Sequence, residues 1–246
     1  MLGKTFYALL TGREPAYLMP DGVPPPLFHI ISRCCALSKE SRYQTLAELK
    51  QSLVSSYDVL LNRAGGMLEE LLSAIKDRFA TSEQYSTQEI SDFIDHLALA
   101  SKDEQIEIIS ELPKLFFSAI AQQPLLHKLA DFLTVYEVYV DDAGYNWGHA
   151  ETIANRMNRI FDSTAVPVRL RALALDLSVR AAVHMNRFAA MDTCKSMVRS
   201  IIDNDLALHV VPIILRSQSD FLSSVEPSTC SNEAIKNAIR TIANKG

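Results

Sequence analysis

The sequence predicts an all-α protein, and three observations carry that expectation. Apolar residues recur at helical spacing along nearly the whole chain. No Asn-Gly or Asp-Gly pair stands between two alternating apolar and polar runs, as a β-hairpin would require. Glycine is scarce, with eight in 246 residues, roughly 3% against the usual 7% or so, whereas turn-rich sandwiches and glycine-looped nucleotide-binding sheets need more.

Residues 2–11 read as a first, very apolar helix, stopped by Gly12 with Pro15 just behind it. Residues 19–26 read as a loop, because the triple proline Pro24-Pro25-Pro26 cannot continue a helix. Helices follow over 27–37 and 45–61. Gly65-Gly66 marks a first division, giving expected domains of 1–61 and 62–246, and the helix after it places Leu68, Leu71, Leu72 and Ile75 on one face. Ser86 with Glu89 and Ser101 with Glu104 fit capping boxes, in which the serine and the glutamate each satisfy an orphan amide of the first turn. Pro113 and Pro124 separate helices over 114–121 and 125–140. The stretch 141–148, with Gly144 and Gly148, offers a second division.

Beyond it, helices are expected over 150–161, 167–185, 187–202, 206–222 with Pro212 inside, and 232–243. Pro167 suits a first helical position, where its missing amide hydrogen costs nothing. The run from Pro167 to Leu175, with its Val-Arg pair and small alanine positions, resembles the inner helix of a HEAT repeat. Only one such unit aligns, so an irregular HEAT-like stack and another α-helical array both stay open.

Composition bounds the function. With 48% apolar and 22% charged residues, the chain can bury a real core and is not a disordered tail. A net charge of −5 argues against a broad footprint for nucleic acid or anionic lipid. Cys34, Cys35, Cys194 and Cys230 form no CxxC, a pattern suited to a reducing compartment. No run reaches the length of a membrane helix, and residues 6–10 are too short for a signal-peptide core. The chain reads as cytoplasmic, with neither nucleic acid nor membrane as partner.

Two ordered motifs carry more. Leu2-Gly3-Lys4-Thr5-Phe6-Tyr7-Ala8-Leu9-Leu10-Thr11-Gly12-Arg13-Glu14-Pro15 has the form LGxxxYxLLTGxxP, and Ile30-Ile31-Ser32-Arg33-Cys34-Cys35 is followed by Lys39-Glu40-Ser41-Arg42-Tyr43. Residues 1–53 thereby resemble the last third of a bacterial, eukaryotic-like serine/threonine protein kinase domain, from its F helix to its closing helix. The resemblance implies that Gly3 and Gly12 are structural motif positions. It also implies that Arg42 is the arginine that pairs with the glutamate of A-P-E. Leu2, Phe6, Leu9 and Leu10 spread over a wide face, which fits a helix buried on most sides.

The family's glycine-rich loop, strand lysine, H-R-D, D-F-G and A-P-E all precede the F helix. Nothing in this sequence supplies them, and Asp131-Phe132-Leu133 lacks the glycine and lies on the wrong side of the F helix. The chain is therefore expected to be catalytically incompetent by itself and to need no cofactor. ATP and magnesium belong only to an intact parent kinase. The leading expectation is a C-terminal fragment of such a kinase whose helices from about residue 62 form a protein-interaction or regulatory module. A free-standing helical scaffold that binds another protein is the alternative, and half of a split kinase the weaker one. The partner would be the missing lobe or a second copy, docked through residues 2–10, and the first 60 residues should be sticky, dimerised or repacked on later helices.

Other constellations carry less. Tyr139-Val140-Asp141-Asp142 spells YxDD but lacks the β-hairpin and third aspartate of a two-metal site. The histidines show no metal-ligand spacing, and no G-x-S-x-G occurs. Arg156, Arg159, Arg169 and Arg171, with Arg180, could line a basic groove on two neighbouring helices, and Trp147 could anchor an interface. The plainer alternatives are a solvated, salt-bridged face and a plug between helical layers.

Overall fold

The structure is a computed structural model that describes residues 2–60, 64–81, 85–144, 148–217 and 220–244. It is all-α: the described residues form fourteen α-helices, two single 3-10 turns and no strand. None of these helices is long and apolar enough to cross a membrane. The chain divides into two compact units, Met1–Leu112 and Pro113–Gly246.

The first unit holds α1 (Leu2–Thr11), α2 (Pro25–Cys34), α3 (Leu46–Leu60), α4 (Ala64–Thr81), α5 (Thr87–Leu99) and α6 (Lys102–Glu111). Gly12 closes α1 with φ of +66° and donates its amide to the Ala8 carbonyl at 2.9 Å, the left-handed stop that glycine adopts without a Cβ penalty. The triple proline starts a helix instead of preventing one: Pro25 and Pro26 occupy the first turn of α2. First-turn amides have no intrahelical partner, so proline loses nothing there and its fixed φ is already helical. Both expected capping serines accept a hydrogen bond from their glutamate's amide, and at Ser101 the Glu104 carboxylate completes the reciprocal half.

Helix α5 is the hub of this unit, with α2, α3, α4 and α6 all packed on it. Ile90, Phe93, Ile94 and Leu97 of α5 are fully buried. The compact unit therefore runs past residue 61. Gly65 and Gly66 lie within the first turn of α4 and not in a separating loop, and α3 and α4 pack together across that position.

The second unit holds α7 (Lys114–Ile120), α8 (Leu126–Asp142), α9 (His149–Asp162), α10 (Val168–His184), α11 (Phe188–Arg199), α12 (Asn204–Arg216), α13 (Asp220–Ser223) and α14 (Glu233–Ala243). Alternate helices are neighbours. Helix α10 lies between α8 and α12, α12 also packs on α14, and α9 lies between α7 and α11, which reaches α13. The result is two layers, even-numbered helices in one and odd-numbered in the other. The stretch 141–148, which begins with the last two residues of α8, falls within this unit.

An aromatic cluster fills the start of the array. Phe116 and Phe117 of α7 meet Phe132 of α8 at ring-centroid distances of 5.3 and 5.7 Å, and Tyr136 stands 5.6 Å from Phe117, within the tilted, edge-on range that aromatic quadrupoles favour. Further on, the expected helix over 206–222 is two helices. Pro212 sits inside α12, which ends at Arg216; proline withdraws an amide hydrogen from the ladder, and the backbone leaves the helix at Ser217 within the following turn.

Candidate functional site

Helix α1 has one sealed side and one open side. Gly3 is the point of closest approach to α2: a Cβ there would stand 2.6 Å from Cys34 Cβ and 2.7 Å from Cys35 Sγ, closer than packed carbons tolerate. Tyr7, 1% exposed, forms a small core with Val23 and Ile31. Its hydroxyl accepts the Met19 amide at 3.2 Å, tying the segment between Gly12 and α2 back onto the helix. That segment contains no further helix.

The other side differs from the sequence expectation of a helix buried on most sides. There Leu9 is 79% exposed and Leu2 47%, and Leu10, on the Gly3 and Tyr7 side but at the far end of the helix, is 43% exposed. Leu2 and Leu9 are seven residues apart in sequence and fall on one line along the helix. Among the helices described, α1 packs principally on α2, while α2 and α3 are the ones that dock on α4 and α5.

Arg42 is exposed, and its Nε donates to the Ala36 carbonyl at 2.8 Å. Sequence reasoning missed the neighbouring ion pair of Arg33 and Glu48, which joins α2 to α3 with both side chains largely buried. Tyr43 packs under the Arg33 guanidinium at 4.3 Å, and Glu48 also accepts the Gln44 amide at 2.9 Å. His29, one turn before Arg33, has its pKa lowered by burial and then by the Arg33 charge, with Asp95 of α5 opposing.

The arginines of the second unit are dispersed in role. Arg156, only 5% exposed, lies over the Phe117 ring at 4.9 Å. Burial raises the Tyr139 pKa, and the neighbouring Arg156, which hydrogen-bonds it, pulls the other way. Arg159 donates to Ser118 Oγ at 3.0 Å, and Arg171 donates to the Phe161 carbonyl at 2.6 Å. Arg169 is exposed on α10. Arg180 bonds Asp141 at 2.9 Å and Glu137 at 2.7 Å, both on α8. Asp176 lies 3.7 Å from Arg180 and receives Arg216 of α12 at 2.8 Å. Arg156 and Arg180 are thus withdrawn from any basic face, and Trp147 lies outside the described residues.

No protein-family model, no curated protein and no solved structure matches the chain. Its chemistry must be read from its own surfaces. Among the described residues no group of three or more histidine, cysteine or acidic side chains could hold a metal ion. An open cleft of about 750 Å³ crosses α8, α10 and α12 in the even-numbered layer, lined by the Arg180–Asp176–Arg216 network with Val179, Val183 and Ile213. Its charges are mutually paired, so the network's evident work is to lock three helices in register.

Proposed function

We propose that the chain is the closing part of a bacterial serine/threonine kinase-like C-lobe joined to a helical, HEAT-like interaction module, and that it acts in the cytoplasm by docking protein without phosphoryl transfer of its own. The observation that carries this reading is the two-sided α1. Gly3 and Tyr7, at positions matching the family's F-helix motif, hold one side, and Leu2 and Leu9 stay open on the other. Fully burying each such leucine is worth about 1.5–3 kcal/mol. We read these two exposed leucines as the surface a docked partner would cover. The occupant we assign to it is the remainder of a kinase catalytic lobe, since the F helix is central to that lobe in the family resembled. The alternating layers of α7–α14 support the HEAT-like reading, because adjacent repeats in such arrays stack like helix on like helix.

Phosphoryl transfer depends on positioned charge around the nucleotide. Nothing in residues 1–246 resembles the family's nucleotide-handling motifs. Purified chain incubated with γ-labelled ATP, magnesium and a generic serine/threonine substrate is therefore expected to transfer no label, and calorimetry with ATP and magnesium to give no binding heat. Transfer that survives further purification would overturn the assignment.

A further inference from the structure

We propose that the cleft between α4 and α6 is a docking site for a basic amphipathic helix of a partner protein. The cleft, about 330 Å³, has Leu68, Leu72 and Ile108 at its floor, all nearly buried and continuous with the core of the first unit. Its walls carry two acidic stripes. Glu69 and Asp77 lie eight residues apart on α4, and Glu104, Glu107 and Glu111 follow at helical spacing on α6. At a rise of about 1.5 Å per residue each stripe is roughly 11–12 Å long, so the complementary ligand is elongated and presents about two helical turns.

Charge selects the occupant. Lys76 is the only cation among the cleft's lining residues, against five carboxylates. It is already engaged with Glu111 at 2.7 Å, bridging α4 to α6. Glu104 is held by the Ser101 capping box. Glu69 and Glu107 are exposed and have no ion-pair partner among the described residues. The cleft's net charge of four negatives compares with −5 for the whole chain, so the excess acid of the molecule is concentrated here. An apolar strip between lysine or arginine rows would set its leucines on the floor and its cations against both walls, the helix-in-groove mode of recognition. Nucleic acid and anionic lipid are repelled by the same walls.

The probe is a fluorescein-labelled leucine–lysine peptide patterned at the helical period, titrated with the full chain and followed by anisotropy at low and at physiological salt. Controls are a peptide of identical composition with its leucines scattered, and the chain variant Glu14→Lys/Asp192→Lys, which changes net charge equally at exposed sites elsewhere. The test variant is Glu69→Lys/Glu107→Lys, with Glu69→Gln/Glu107→Gln as the milder pair and circular dichroism to check helicity. The expected result is saturable, salt-sensitive binding by wild type and by the control variant. Binding should be weakened roughly tenfold or more by the lysine pair and by an intermediate factor by the glutamine pair, as loss of complementary rim charges implies. Should the lysine pair misfold, the glutamine pair decides. No binding by wild type, equal binding by the cleft variants, or equal binding of the scattered peptide would each overturn the proposal.

Discussion

Gly3 acts through the atom it lacks. Because a Cβ there would lie within 2.9 Å of the Ile31 carbonyl as well as the two cysteines, Gly3→Ala must push α1 off α2. The expected cost is about 1–3 kcal/mol, the range for overpacking, read as a lowered midpoint in chemical denaturation. A substitution without cost would mean that the two helices do not close at this point. His29 acts through charge. Burial and Arg33 hold its folded-state pKa below 6.5, so the unfolded chain takes up a proton at a pH where the folded chain does not. That contribution is complete above about pH 6.5 and is lost as the pH falls towards the folded value. His149 shares the direction, through burial and then Arg156. The denaturation midpoint should therefore drop from pH 7.5 to pH 5.5, and His29→Gln should flatten part of that drop. A pH-independent midpoint would contradict the burial of these imidazoles.

Helix boundaries separate what is written locally from what is not. Ser101 and Glu104 announce the start of α6 because both halves of the box lie within one turn. Ser101→Ala should cost about 1 kcal/mol, measured by thermal or urea unfolding, and an unchanged midpoint would mean that the cap contributes nothing. Most helices and the all-α class were legible for the same reason, since spacing and caps are short-range signals. The start of α2 was misread because proline stops a helix from within yet suits its first turn. At the end of α10, Asn186 adopts φ of +47°. Its amide bonds Val183, and the Arg187 amide bonds the Ala182 carbonyl, a left-handed stop that no glycine advertised. The arginines were less legible still. Arg156 looked like surface charge on α9, but Phe117 and Tyr139, which enclose it, come from α7 and α8, and no local pattern brings those three together. The Glu104, Glu107 and Glu111 spacing stands in the sequence, whereas the opposing stripe on α4 exists only once α4 and α6 flank α5.

At the scale of the whole molecule, labour is divided within each unit. In the first, α2 and α3 are integrated into the packing around α5, whereas α1 contacts chiefly α2 and presents leucines outward. In the second, the aromatic cluster ties α7 to α8 across the two layers, and Arg180 with its acids ties α8, α10 and α12 together within one of them. The proposed role of such a molecule is to hold partners. The most direct test of that claim is co-sedimentation of the full chain with a purified catalytic lobe from a bacterial eukaryotic-like serine/threonine kinase that ends before its own F helix. The account predicts a complex that is lost in Leu9→Asp and kept in Val54→Asp, which alters an exposed apolar residue on α3. No complex with the wild-type chain, or one that Leu9→Asp leaves intact, would contradict it.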